Sequence, residues 1–99
     1  PEQIQGLEVD ARTDIYALGV ILWECVFGEP VFKGKNLIEI FSAASRGKLP
    51  KLPSELRPIP IWQQLYDVLS KALQKDRDKR YGSMHAFQRA LEDILVSEN

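Results

Sequence analysis

The sequence predicts an all-α fold: four helices joined by irregular connections. Three observations carry that expectation. Apolar residues recur at helical spacing in four separate segments. No stretch alternates apolar and polar residues as a half-buried strand does. Gly28, Asn36, Gly47 and Ser83 stand where helices begin or stop, and four prolines between residues 48 and 60 exclude both a long helix and a central strand there.

Residues 1–12 form a polar entry containing Gly6 and read as irregular, with room for one short turn. The first helix occupies residues 14–28, DIYALGVILWECVFG, in which eleven of fifteen residues are apolar. Thr13 is placed to cap it and Asp14 to face the positive end of its dipole, while Gly28 and Pro30 stop it. At about 100° per residue, Ile15, Leu18, Leu22 and Val26 lie on one side, and Tyr16, Val20, Trp23 and Phe27 on another. A helix apolar all round is expected to be enclosed all round. It is too short for a membrane span, which needs roughly 18 or more apolar residues, and Glu24 interrupts it. Cys25, the single cysteine, reads as a small buried hydrophobe.

Residues 28–35 (GEPVFKGK) form a turn-rich loop with two apolar anchors, Val31 and Phe32. Asn36 caps a short helix running to about Ser45, with Leu37, Ile40, Phe41 and Ala44 as its stripe and Gly47 as its stop. After the proline-rich connection, a helix from Ile61 places Trp62, Leu65, Leu69, Ala72 and Leu73 on one face, beside Tyr66 and Val68. A charged loop over residues 76–82 follows. Ser83 then caps a last helix running to about Val96, striped by Phe87, Leu91, Ile94 and Leu95.

One domain is the ceiling at 99 residues. A net charge of −1 gives no pull toward nucleic acid or an anionic membrane. His85 is the only histidine and has no second His or Cys ligand nearby, so it reads as a solvated or partly packed helix residue rather than a metal ligand. Trp23 and Trp62 read as core or interface aromatics rather than a ligand cage. The chain opens on Pro1 and carries no signal-peptide pattern, which reads as a portion of a longer protein.

Pro1-Glu2, then DARTDIYALGVILWE, GEPVF and KDRDKRYGS, in this order and at this spacing, resemble the C-terminal part of a eukaryotic-type serine/threonine protein kinase, with a texture closest to bacterial members. The resemblance spans essentially all 99 residues. It implies a partial protein kinase domain over residues 1–99, from the end of the activation segment through the last helix. The fold implied is the helical C-terminal sub-lobe of the kinase fold.

Pro1-Glu2 matches the end of the Ala-Pro-Glu motif. Asp14 and Gly19 match the aspartate and glycine of the central C-lobe helix, where the aspartate holds the catalytic loop. Arg80 matches the arginine that pairs with the Ala-Pro-Glu glutamate, here Glu2. Many relatives have proline after the aspartate of the Asp76 loop; here it is Arg77, which weakens a loop-stiffening role.

The other signature parts of the family are absent from the sequence: the Gly-rich loop, the strand lysine, the His-Arg-Asp loop and the Asp-Phe-Gly segment. The resemblance therefore implies no catalytic, cofactor-binding or metal-binding residue in this chain. ATP and Mg²⁺ would belong to the parent kinase, which would phosphorylate serine or threonine hydroxyls of proteins in the cytoplasm. Partners implied are the remainder of the kinase domain and, for the parent, a protein substrate. Self-association of the chain as a helical interaction or docking module is the alternative.

Glu24 is either a contact for a basic substrate residue in the parent or simply a surface or hydrogen-bonded acid. Leu37, Ile40 and Phe41 are either core or part of a docking surface. One side of the first helix is expected to pack on residues 37–44, 62–73 and 87–95; the other, around Asp14 and Leu18, is expected to be open, borrowed by another copy, or covered by a missing chain.

Overall fold

A computed structural model describes residues 11–97. Four α-helices are present among them: α1 (Ala11–Phe27), α2 (Leu37–Arg46), α3 (Pro60–Ala72) and α4 (Met84–Ser97). A single 3₁₀ turn, Arg77–Lys79, lies between α3 and α4. The described residues contain no strand, so the all-α expectation is met.

The local signals act as the sequence implies. Asn36 Oδ1 accepts from the Glu39 N–H at 3.0 Å, and the Glu39 carboxylate in turn accepts from the Lys35 N–H. The two together satisfy donors that open α2. Gly47 closes it in the left-handed conformation at φ 69°, donating to the carbonyls of Ala43 and Ala44. Pro60 sits in the first turn of α3, where its missing N–H costs nothing. Ser83 Oγ accepts from the Ala86 N–H at 3.1 Å and caps α4. In the charged loop, Asp76 Oδ1 accepts from the Asp78 N–H at 2.9 Å, which turns the chain into the 3₁₀ segment.

Three helices make the core: α1, α3 and α4 pack on one another. Ile15, Leu69, Leu73 and Phe87 are sealed completely. Each contributes about 1.5–3 kcal/mol by leaving water. Gly19 lets α1 and α3 approach closely: a Cβ built there would lie 3.2 Å from Ala72 Cβ and 3.3 Å from Leu73 Cδ2. Val31 and Leu52 add buried plugs from the connections. Phe32 stacks on Tyr16 with ring centroids 6.5 Å apart, so both anchors of the GEPVF loop hold.

Several expectations are corrected. The helix holding residues 14–28 starts at Ala11, so Thr13 lies in its first turn rather than capping it. The tertiary ties of Arg12, described below, hold that extra turn. α1 is not enclosed. Among its residues only Ile15, Gly19 and Trp23 are buried, and Asp14, Ala17, Ile21, Glu24 and Cys25 are exposed. The molecule measures 42 × 29 × 18 Å, and 18 Å holds about two helix layers at the usual 8–10 Å separation. One face of α1 therefore stays open, centred on Asp14, Ala17, Ile21 and Cys25; Leu18 is half-buried at its edge. Cys25 is thus an exposed thiol rather than a buried hydrophobe.

α2 does not join the α1 core. Ala44 is buried and Ile40 half-buried, but Leu37 and Phe41 are exposed. The stripe of α2 is amphipathic, and the 28–36 loop supplies Val31 and Phe32 to the core in its place. The stripe of α4 ends at Ile94: Leu95, one residue on and about 100° round the helix, is 66% exposed.

Candidate functional site

The residues that the sequence singles out fall into separate places. Arg80 is the most constrained of them. It is 4% exposed, and its guanidinium reaches three backbone carbonyls. Nε donates to Gln74 O at 2.7 Å, Nη1 to Arg12 O at 3.0 Å and Nη2 to Lys75 O at 3.2 Å. The same group lies over the Tyr16 ring, 4.6 Å from its centroid. A planar fork of donors suits such an arrangement, and a lysine does not reproduce it. Arg80 thus ties the start of α1 to the end of α3 and the charged loop. Arg12 reinforces the tie, since its side chain pairs with Asp78 at 2.6 Å. Glu2, the expected partner of Arg80, lies outside the described residues.

Asp14 and Gly19 do not share a face. Five residues apart on a helix, they point about 140° from each other. Gly19 is buried against α3, while Asp14 is exposed on the open face. Glu24 is exposed on the same open side of α1. His85 is exposed as well. Among the described residues no group of three His, Cys, Asp or Glu side chains comes together. The Tyr81 phenol is raised above its ordinary 10.0 by burial and, secondarily, by the nearby Asp67 carboxylate. Tyr81 stacks on Phe87 at 5.2 Å, with Lys71 Nζ 4.6 Å from its ring centroid.

The largest aromatic assembly lies at the other end of α1. Trp23 and Phe27 stand 4.7 Å apart, Trp23 and Tyr66 5.5 Å, and Phe27 and Trp62 6.0 Å, measured between ring centroids. Tyr66 Oη donates to Pro50 O at 2.6 Å and pins the proline-rich connection against them. A cleft of about 310 Å³ opens between these rings and that connection. Trp23 is core, as expected; Trp62 is half-buried and lines the cleft. The sequence reading missed this cleft, and also missed Arg12 and Tyr16 as partners of Arg80. Only the arginine itself was visible, because its acceptors are backbone carbonyls.

Among the described residues this arrangement positions elements against one another. A three-helix core with a locked arginine and an open face on its first helix is a structural framework. Comparison with known proteins names the class. Residues 1–91 match the family described as protein kinase domain, and the chain belongs to that family. It is 41% identical over 95 residues to the tyrosine-protein kinase MasK of Myxococcus xanthus, covering 96% of this chain and 14% of that protein. It is 38% identical over 81 residues to the serine/threonine-protein kinase PknB of Mycolicibacterium smegmatis, covering 82% and 13%. It is 33% identical over 94 residues to a serine/threonine-protein kinase of Xenopus laevis, covering 95% and 19%. The chain therefore spans less than a fifth of the length of these curated relatives. The all-helical architecture is that of a kinase C-lobe portion, as the resemblance implies. No helix among the described residues is long and apolar enough to cross a membrane.

Proposed function

We propose that the chain is the C-lobe portion of a cytoplasmic kinase that transfers the γ-phosphoryl of ATP to serine or threonine hydroxyls of proteins, and that the portion alone is inactive. The observation that carries the reading is the match of residues 1–91 to the protein kinase domain, joined to a sequence with no Gly-rich loop, His-Arg-Asp or Asp-Phe-Gly segment. Phosphoryl transfer works by positioning nucleotide, metal and acceptor, and the segments that hold nucleotide and metal are not in this sequence. ATP and Mg²⁺ are assigned to the parent, and no step is routed through them here. The residues present support rather than react. Arg80 fixes the start of α1, and α1 presents Asp14 on an open face, where a catalytic loop from the rest of the domain would be held. In this reading Glu2 pairs with Arg80, Gly19 sets the spacing of α1 and α3, and Glu24 is available to a basic substrate residue.

Two of the three relatives cited are named for serine/threonine and one for tyrosine, so the acceptor is the part of the proposal to test. The coding sequence immediately upstream of Pro1 is expected to encode Ala, preceded by Asp-Phe-Gly and His-Arg-Asp. Acid hydrolysis of acceptor phosphorylated by the longer protein is expected to yield phosphoserine or phosphothreonine. Phosphotyrosine alone refutes the acceptor assignment, and an upstream sequence without those motifs refutes the parentage.

A second reading is favoured by one specific observation. Ile38 is 80% exposed, next to exposed Leu37 and Phe41 on α2. Such a surface can serve as a docking or self-association face. Sedimentation velocity separates the two readings: a concentration-independent monomer removes the self-association reading.

A further inference from the structure

Of the features that the kinase reading leaves unused, the aromatic cleft at the C-terminal end of α1 is the most completely built. Its floor is made by Trp23, Phe27, Trp62 and Tyr66, and its wall by Leu52 and Leu56 of the proline-rich connection. Its volume of about 310 Å³ falls at the lower end of the range for small-molecule sites. The rings touch one another at 4.7–6.0 Å, so they form a continuous apolar surface rather than spaced cage walls around a cation. That geometry takes a flat or aliphatic body against the ring faces.

The charges at the rim choose its polar end. Glu29 also lines the cleft; one of its oxygens pairs with Lys33 at 2.9 Å in an exposed contact that offsets its charge in part. Lys51 lines it too, is exposed, and has no carboxylate partner among the described residues. Neither Trp23 nor Trp62 makes a side-chain hydrogen bond among the described residues. The only hydroxyl on the floor, Tyr66 Oη, is engaged with Pro50 O. The charged group left over at the rim is therefore one ammonium, which seeks an acceptor.

We infer that this cleft binds a small organic anion: an apolar body lying on the aromatic floor with a carboxylate directed to Lys51. The site is independent of the phosphoryl-transfer reading and stands or falls separately from it.

The chain contains two tryptophans, and both line the cleft, so their fluorescence reports occupancy directly. Phenylpropionate, phenylpropanol and phenylpropylamine share one apolar body and differ in the end group. Titrated into the purified chain, the acid is expected to give a saturable change with a dissociation constant on the order of 1 mM, as befits a fragment-sized ligand. The alcohol binds more weakly and the amine most weakly. Lys51→Gln is expected to weaken the acid about threefold, the size of a partly solvated ion pair, and to leave the alcohol unchanged. Leu56→Trp, which fills the cleft, is expected to abolish the response to both; its helical circular dichroism checks that it folds. Equal binding of acid and amine, an unchanged acid affinity in Lys51→Gln, or no saturable response from any of the three overturns the inference. The Lys51 variant changes only an exposed side chain, so the test does not depend on Leu56→Trp folding.

Discussion

Replacing Arg80 with methionine keeps most of the buried aliphatic stem and removes the guanidinium. Three carbonyls then lose their donor: Gln74 O, Arg12 O and Lys75 O, now held at 2.7, 3.0 and 3.2 Å. A hydrogen bond from a charged group is worth about 1.5–3 kcal/mol net, but three from one group are not additive, and water can reach carbonyls on the loop. Loss of the cation over Tyr16 adds about 0.5–1 kcal/mol. Breaking a buried charged network typically costs about 3–5 kcal/mol, and Arg80→Met is expected at about 3 kcal/mol. Arg80→Lys keeps the charge and reaches fewer of the three carbonyls, so about half that loss is expected. Urea unfolding followed by helical circular dichroism measures both at constant slope. A domain of this size has only about 5–15 kcal/mol in total, so the lysine variant serves as the graded probe if the methionine variant does not fold. A loss under about 1 kcal/mol in both variants would refute the claim that Arg80 ties α1 to the charged loop.

Other substitutions probe the backbone and the shifted phenol. Gly19→Ala sets overpacking of about 1–3 kcal/mol against a helix-propensity gain of about 1 kcal/mol. Because the contact at 3.2 Å is Ala72 Cβ, which moves only with α3, a net loss of about 1 kcal/mol is expected. Adding Ala72→Gly should make the two changes couple favourably by at least about 0.5 kcal/mol in a thermal-melt cycle. Gly28→Ala and Gly47→Ala both force a side chain into positive φ, at a cost of about 1–2 kcal/mol. Gly47→Ala should cost more, since its Cβ would lie 2.8 Å from Lys75 Cβ whereas Gly28 faces open space; equal melting shifts would contradict that ordering. At alkaline pH the unfolded chain releases the Tyr81 proton near 10.0, before the folded chain does. The stability supported by the protonated phenol is therefore intact below about 10 and is lost as pH rises through the raised folded value. Denaturant midpoints above pH 10 should fall less steeply in Tyr81→Phe than in the parent sequence.

Much of the fold was legible because its signals are local. Asn36, Gly47 and Ser83 act within three or four residues of themselves, and Pro60 marks the start of α3 by its own covalent chemistry. Phe87 and Leu69 were legible as core because their helices are amphipathic. α1 was not legible in the same way. With apolar residues on every side, its sequence cannot say which face meets α3 and α4, and Cys25 was misplaced for that reason. α2 carries a clear stripe, yet a stripe states only that a partner is wanted, and here Leu37 and Phe41 have none among the described residues. The candidate site divides along the same line. Arg80, Asp14 and Gly19 stood out as residue types at characteristic spacing, but the acceptors of Arg80 are main-chain oxygens that no residue type advertises. The aromatic cleft draws on α1, α3 and the two connections flanking α2. Only the folded chain brings Trp23, Lys51 and Trp62 together.

If, as proposed, the chain supplies the framework of a kinase C-lobe without its nucleotide-binding and catalytic segments, it should not transfer phosphate on its own. The most direct measurement is phosphoryl transfer by the purified chain, incubated with labelled ATP, Mg²⁺ and a generic protein acceptor. No incorporation above a blank is expected at any chain concentration. Incorporation that rises in proportion to the chain, and persists through repurification, would contradict the proposal.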